Sequence, residues 1–456
     1  MKKIYILISL MFIAASGFAQ TIAAGGGHSL AICKEKGTVQ VCGNNYFGQL
    51  GDGSSVTISD VPVEASVLTD VISIAAGWSH SFALKNDSTV WAWGCNTNNE
   101  LGNGNTNHSN IPLHISSLIS VKALAGGFYH SMALKNNGTV WAWGDNSSGQ
   151  LGDGSNTDSN IPIQVNSISG MIAISAGNYH SVALKSDSTI WVWGDNSAGQ
   201  LGNGNNSDSN IPVQVISLTG VIAISAEGSH TLALKKDGTV WAWGLNTYGE
   251  LGNSTINNSN IPVQVNALTG ITAIAAGWSH SAALKNDSTV WTWGLNDHGQ
   301  LGNGNNNDSN VPIQVGSLSG VIDLACGYYH CLALKNNGTV SAWGNNIDGL
   351  LGNGTNNNNS NIPLPISTLC LVGSTVDEIP EGLFFSIFPN PATVHITIEI
   401  NGKATIEILN IQGQIIKTTN TAEKQTTIDV SDLSSGVYIL KARTERGVAV
   451  KKFIKE

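Results

Sequence analysis

One unit of about fifty residues is written seven times along this chain. The copy that begins at Ile271 reads ITAIAAGWSHSAALKNDSTVWTWGLNDHGQLGNGNNNDSNVPIQVGSLSG. Its histidine recurs at His80, His130, His180, His230, His280 and His330, each 50 residues after the last, and a seventh, His28, lies 52 residues before His80. A Leu-Gly pair follows each histidine, from Leu50-Gly51 to Leu351-Gly352. A unit this short cannot bury its apolar face alone, so the copies must stack on one another, in an open solenoid or a closed ring.

Within each copy four segments read as short strands. They are of the types VIAISAG (strand A), HSVALK (B), TIWVWG (C) and IPVQVISL (D). All are rich in β-branched or aromatic residues and end in clusters of Gly, Asn, Asp or Ser. Trp191 and Trp193 sit two apart in strand C and so point to one face of the sheet. Four antiparallel strands per copy, seven times, predict an all-β chain whose main body is a closed seven-bladed β-propeller. An open solenoid would call for polar capping repeats, and the first and last copies are only mildly altered.

The strings A-G-x-x-H-S-x-A-L and T-V-W-x-W-G-x-N-x-x-G-Q-L-G recur in order from Thr21 to Leu371. In them the chain resembles the regulator of chromosome condensation repeat family, and the resemblance implies a seven-bladed propeller. The family's nuclear founder promotes guanine-nucleotide exchange on a small GTPase, and its secreted bacterial members include a β-lactamase inhibitor. The resemblance thus implies activities that work by binding another protein.

Composition narrows the partners. The formal net charge is -10, and only 11% of the 456 residues are charged. The only arginines are Arg443 and Arg446, outside the repeats, and the lysines of the repeats recur singly at one hairpin position. Nucleic-acid binding needs a basic footprint against phosphate, so nucleic acid is not an expected partner.

Both ends read as export signals. Lys2 and Lys3, the apolar run Ile4 to Ala15, and the small residues Gly17 and Ala19 form a signal peptide over 1–19. The run is too short to span a bilayer comfortably, so no transmembrane segment is expected after cleavage. The propeller is assigned to 20–371 and a linker to 372–383. From 384 to 456 the pattern changes to strands at Val394–Ile400, Ala404–Leu409, Gln414–Lys417, Thr426–Val430, Gly436–Lys441 and Ala449–Ile454, a small β-sandwich. Phe388-Pro389-Asn390-Pro391, Ile408-Leu409-Asn410, Leu433-Ser434-Ser435-Gly436-Val437-Tyr438 and Lys451-Lys452-Phe453-Ile454-Lys455 occur in the order of the C-terminal sorting domain of type IX secretion cargo, which this segment resembles. The resemblance makes Pro389, Asn390, Pro391, Gly436, Tyr438, Lys451 and Lys452 sorting-signal residues. It implies a Gram-negative cell, the type IX machinery as a partner, and a secreted or outer-surface destination. An ordinary immunoglobulin-like binding module is the alternative for this segment.

Five of the six cysteines flank the place where a ring would close: Cys33 and Cys42 in copy one, and Cys326, Cys331 and Cys370 in or after copy seven. Outside the cell this favours disulfides, and Cys33 with Cys42 is the candidate hairpin pair; free thiols are the alternative.

No catalytic residue, metal or cofactor is assigned. A residue repeated seven times at one position serves the repeat, so the seven histidines are expected to hold adjacent turns by hydrogen bonds. His108, His114, His298 and His395 are singletons without acid or nucleophile spacing. Asn-rich loops such as Asn203 to Asn210 lack the carboxylates of a dedicated calcium site. Asp87-Ser88-Thr89, Asp187-Ser188-Thr189 and Asp287-Ser288-Thr289 resemble a bacterial O-glycosylation sequon, but the polar β-turn is the favoured reading.

What varies is one end of the blades, where the A–B and C–D turns emerge together. Just before the histidine stand Trp78, Phe128 with Tyr129, Tyr179, Trp278, and Tyr328 with Tyr329. The C–D turn varies at Tyr46 with Phe47, Tyr248, Asp297 with His298, and Ile347 with Asp348, and copy five carries Glu227 where the others have glycine. Trp and Tyr are enriched in binding hot spots. Trp78, Phe128, Tyr129, Tyr179, Glu227, Tyr248, Trp278, His298, Tyr328 and Tyr329 are therefore the candidate partner-binding residues, on a discontinuous aromatic rim. The same side chains could instead plug the channel mouth. The leading function is a noncatalytic binding module for a protein or glycan. The alternatives are nucleotide exchange on a small GTPase, and a hydrolase or lyase site in the channel that would use Glu227 and His298.

Overall fold

The computed structural model describes residues 20–33, 37–316 and 318–366, and in the C-terminal part 385–388, 392–400, 402–409, 415–421, 424–434, 436–444 and 447–455. The chain divides into two compact units, Met1–Gly373 and Ser374–Glu456. The expected signal peptide and linker lie outside the described residues.

The first unit is seven sheets of four consecutive antiparallel strands each. In blade 4 the strands are Met171–Ala176, His180–Lys185, Ile190–Gly194 and Ser209–Val215. Every blade is one copy of the repeat, so the ring closes without exchanging a strand. Its cores lie between blades. Val182, Leu184, Ile190 and Val192 of blade 4 pack with Ile224, Ala233 and Trp243 of blade 5. The alternation expected in strand C is what makes this possible: Trp241 and Trp243 face the preceding blade, while Val240 and Ala242 face the next.

The interfaces are stitched by one repeated set of hydrogen bonds. The buried backbone carbonyl of Gln200 accepts from Trp243 Nε1 at 2.9 Å and from Thr231 Oγ1 at 3.1 Å, both in the next blade. Gln49, Glu100, Gln150 and Glu250 do the same for a Trp and a Ser of the blade that follows each. The hydroxyl thus donates to the carbonyl and accepts from the histidine of the preceding blade, as in His180 Nε2 to Thr231 at 3.0 Å and His230 Nε2 to Ser281 at 2.9 Å. Six of the seven histidines thus tie neighbouring blades through a hydroxyl, and His280 meets the Cys331 sulfur of blade 7 at 3.1 Å.

The circle closes between blades 7 and 1 with altered parts. His330 Nε2 meets Ser29 Oγ at 2.8 Å, and Ser29 donates to the Leu350 carbonyl at 2.8 Å. Ile22 and Ala31 pack on Leu332, Leu334 and Val340. Cys42 stands where the other blades carry the buried tryptophan, its thiol 3.6 Å from the same carbonyl.

This placement corrects the expected Cys33–Cys42 bridge. In the hairpin Cys33 pairs with Thr38 and Cys42 with Ser29, four rungs apart, or about 13 Å along the strand. A disulfide needs Cα atoms within about 7 Å. Cys42 and Cys95 are free thiols, whereas Cys33 is disulfide-bonded. A second disulfide joins Cys326 to Cys331, which face each other in blade 7.

The second unit is a sandwich. One sheet contains Phe385–Phe388, His395–Ile400 and Gln425–Asp429; the other contains Ile415–Thr421, Ala404–Leu409, Gly436–Thr444 and Gly447–Lys455. Ile396, Ile398 and Ile400 of the first sheet share a core with Ile406, Ile408, Leu440 and Phe453 of the second. Phe385–Phe388 is a strand beyond those expected from the sequence, only four residues long and directly before the Pro-Asn-Pro entry.

The buried histidines give the fold a pH dependence. Burial pushes six of the seven imidazoles down to about 3 and His230 down to about 4. Unfolding frees them to take up protons below about pH 6.5, so their contribution is lost as pH falls. Four buried carboxyls act in the opposite sense. Burial raises Glu100 and Glu227, and pushes Glu250 and Asp323 up to about 7. The seven imidazoles outnumber the four carboxyls, so unfolding takes up protons on balance between about pH 6.5 and 5, and stability falls with pH there. Urea unfolding of the full chain is expected to show stability falling steeply from pH 6.5 to 5. A flat profile over that range would contradict the buried, neutral state of the histidine ring.

Candidate functional site

The A–B turn spans three positions in each blade, the first of which joins strand A in blade 5, and is closed elsewhere by a bond such as Gly77 N to the His80 carbonyl at 2.9 Å. Its second residue points over the middle of the ring, and its third lies further out. The second position reads Gly26, Trp78, Phe128, Asn178, Gly228, Trp278 and Tyr328 around the seven blades. The third reads Gly27, Ser79, Tyr129, Tyr179, Ser229, Ser279 and Tyr329.

The second-position rings meet across the mouth. Trp78 stacks on Phe128 with centroids 4.7 Å apart, and Trp278 stacks on Tyr328 at 4.9 Å. Tyr328 joins the two pairs, edge-on to Trp78 at 4.0 Å. It is only 4% exposed, and its hydroxyl reaches across to Asn178 Oδ1 of blade 4 at 3.4 Å. Around this centre Tyr129 and Tyr179 lie against Phe128, and Tyr329 lies against Trp278 and His298. The expected discontinuous rim is thus one contiguous cluster. Its centre closes the mouth, and its half-buried outer rings, with Trp78 and Trp278, still face solvent. Tyr248 stands on its C–D loop, 40% exposed.

Beneath the cluster runs a channel of about 120 Å³, walled by strand A of every blade and mostly by alanine. Glu227 and Asp323 line it. Glu227 takes the place of the first turn glycine. Blade 5 accommodates it by extending its strand to Glu227 and placing Gly228 at φ +53, where a Cβ would come within 1.9 Å of the Trp278 carbonyl oxygen. Burial holds the Glu227 carboxyl well above the usual carboxylate range. Burial also raises Tyr328, with the Glu227 charge as a further cause. His298 lies apart from the channel, its Nδ1 2.5 Å from Asp297 Oδ1 and its ring on Tyr329. The structure therefore does not bring Glu227 and His298 into one constellation.

At the seam the pattern of turns leaves a gap. Trp78 leans over Gly26, where a Cβ would come within 2.3 Å of the indole. The bare backbone of Gly26 and Gly27 opens a groove of about 280 Å³, walled by Tyr46, Phe47, Trp78, Tyr329, Ile347 and Asp348. Ile347–Gly349 forms a single 3-10 turn with Asp348 at φ +69, and Asn44 Nδ2 donates to the Asp348 carboxylate at 2.7 Å. The sequence offered Tyr46, Phe47, Ile347 and Asp348 as variable positions. It gave no sign that two glycines of blade 1 would bring them together. Asn178 was also missed, because nothing in one copy shows which turn residue points inward.

Other expectations are placed as follows. The loop asparagines fold the C–D loops on themselves: Asn196 Nδ2 donates to the Asn205 and Ser207 carbonyls, and its Oδ1 accepts from Leu201 N. The Asp-Ser-Thr hairpins are turns in which Thr89 donates both N–H and Oγ1 to Asp87 Oδ1, with the same bonds at Thr189 and Thr289. Among the described residues the grouping close enough to share a metal ion is His280, Cys326 and Cys331, whose two sulfurs are joined. Gly436 begins a nine-residue strand of the sandwich, shared with Tyr438, whose ring stacks on Phe453 and whose hydroxyl donates to the Ser434 carbonyl. Lys451 lies half-buried on the last strand, which Lys452 also occupies. Pro389, Asn390 and Pro391 lie outside the described residues. Among the described residues, no helix is long and apolar enough to cross a membrane.

Known proteins share this architecture. The sequence pattern of the RCC1-like domain matches residues 9–266, more than half of the chain. Patterns of the regulator of chromosome condensation (RCC1) repeat match 287–334, 271–300 and 321–349. The secretion system C-terminal sorting domain matches 386–456, so the chain is type IX cargo, bound for the cell surface or beyond. The probable E3 ubiquitin-protein ligase HERC6 of Homo sapiens is 41% identical over 85 residues, 18% of this chain and 8% of its own length. The regulator of chromosome condensation of Homo sapiens is 35% identical over 81 residues, 18% of this chain and 19% of its own length. The chain thus spans less than a fifth of the length of either relative. Among solved structures, human WBSCR16 superposes with a TM-score of 0.66 at 24% identity, over 73% of this chain and 95% of that one. Prp20p of Saccharomyces cerevisiae gives 0.65 at 25% identity, over 72% and 85%.

Tyr328 holds the aromatic centre together through its ring more than through its long hydroxyl contact. Tyr328→Ala is expected to cost about 3 kcal/mol in urea unfolding and Tyr328→Phe less than about 1 kcal/mol. Equal losses would place the energy in the bond to Asn178 instead.

Proposed function

The chain belongs to the RCC1-like domain family, and on that premise we propose that its propeller is a noncatalytic binding module, exported to the cell surface or beyond, that holds a protein or glycan partner on the aromatic rim. The observation that carries this reading is the cluster itself. Scaffold positions hardly change from blade to blade, while the A–B turns of blades 2, 3, 4, 6 and 7 supply large rings to one contiguous patch. Side chains needed only to fill a mouth would be fully covered, yet Trp78, Tyr129, Tyr179, Trp278 and Tyr329 keep solvent-facing area. Rigid aromatics of this kind bury much area on binding at little cost in conformational entropy. The separate positions of Glu227 and His298 favour binding over a channel hydrolase.

The test is capture of extracellular partners by the full chain, with Trp78, Tyr179 and Trp278 changed singly and together to Ala. Loss of one anchor is expected to weaken binding at least tenfold, a cost of about 1.4 kcal/mol or more. Undiminished capture by the triple variant, with folding verified by its unfolding midpoint, would overturn the rim as the binding site. Faster nucleotide release from a small GTPase in the presence of the chain would favour the exchange reading.

A further inference from the structure

The ring is electrically two-faced. In each blade the B–C hairpins and D–A connections lie at one end, and the A–B and C–D turns lie at the other. Lysines of the propeller, such as Lys85, Lys135, Lys185, Lys235, Lys285 and Lys335, close strand B at the first end. Neither Lys nor Arg occurs in any A–B turn or C–D loop. Those turns carry acids instead, and several stand beside the aromatic cluster. Burial raises the phenols of Tyr129, Tyr179 and Tyr329, and nearby acids raise them further: Asp145 acts on Tyr129 and Tyr179, Asp195 on Tyr179, and Asp297 on Tyr329. The aromatic patch therefore lies among acids, with no lysine or arginine in the turns around it.

The seam groove concentrates both features. At about 280 Å³ it is smaller than the usual small-molecule pocket of about 300–1,000 Å³, and it suits an inserted side chain. Its walls are the rings of Tyr46, Trp78 and Tyr329, and its acid is Asp348, which Asn44 holds through one carboxylate oxygen at 2.7 Å. An apolar insert would cut that carboxylate off from water and leave its charge with only the neutral Asn44 amide beside it. An ammonium or guanidinium group would pair with it, and would gain from the faces of the surrounding rings.

The geometry points to a partner of stated chemistry: a basic polypeptide that docks on the aromatic rim and places one lysine or arginine side chain in the seam groove, its head group against Asp348 and its stem between Tyr46, Trp78 and Tyr329. This rests on the binding-module reading of the same rim and narrows it to a protein. The acids around the cluster steer the approach, so association is fastest at low salt.

The test uses the full chain and defined probes: a fluorescent (Gly-Lys)5 peptide, the same peptide with acetylated lysines, (Gly-Glu)5, and cellohexaose as a neutral glycan. The Gly-Lys peptide is expected to bind with an affinity that falls with salt. Acetylation, Asp348→Asn and Tyr46→Ala are each expected to weaken it at least fivefold. Lys85→Gln, at the opposite end, is expected to leave it unchanged. Tyr46 is 64% exposed, so its replacement keeps the fold intact even if Asp348→Asn disturbs the seam. Equal binding of the acetylated peptide, indifference to both groove variants, or binding of cellohexaose in place of the Gly-Lys peptide would overturn the inference. The two readings separate cleanly in capture experiments. A natural partner lost on Trp78→Ala and Trp278→Ala but indifferent to Asp348→Asn and to competing Gly-Lys peptide leaves the rim standing and removes the basic partner. A partner indifferent to all four removes both.

Discussion

The rest of the propeller depends on one backbone carbonyl per blade. In the loop between strands C and D, the carbonyl of Gln200 or its equivalent is turned toward the next blade, where an indole N–H and a hydroxyl both donate to it. A buried carbonyl without donors would cost about 1–3 kcal/mol. Here both lone pairs are used, and the bond from Trp243 fixes the largest buried side chain of the interface. The histidine completes the set by donating to the same hydroxyl. In that order the Nε2–H tautomer makes the donation, and full burial keeps the ring neutral.

Much of this was legible in the sequence. Seven recurring histidines, paired tryptophans and a Leu-Gly step give blade number, strand order and the faces of strand C, because each follows from period and alternation. The sorting domain was legible from its motifs in order. The role of the histidines was only half legible: recurrence shows that His180 serves the scaffold, but nothing within one copy says that its partner Thr231 belongs to the next. The cysteines misled for a related reason. Cys33 and Cys42 are near in sequence and sit in one hairpin, yet register separates them by four rungs. Cys42 is better understood as the seam's substitute for a tryptophan.

The rim was legible as a list of variable positions and not as an arrangement. Trp78 and Tyr179 look alike in the sequence, but one occupies the second place of its turn and the other the third, which decides whether the ring reaches the centre or stays outside. Glycine carries as much information here as tryptophan. Gly26 is bare because Trp78 lies over it, and that bareness opens the groove at the seam. Charge follows the same division, since lysines close the hairpins at one end while the turns at the other carry acids alone.

Each interface has a direction. Blade 4 offers a histidine and a carbonyl, blade 5 answers with a hydroxyl and an indole, and blade 5 then offers the same pair to blade 6. This is a head-to-tail contact repeated within one polypeptide, and such contacts make a circle only when the rotation per step divides a full turn. The bonds between blades are indifferent to how many blades there are. Ring size is set by the wedge angle of each core, about 51° for seven, so a gene that gained or lost one whole repeat would keep every local bond satisfied and still fail to meet itself at Ser29 and His330.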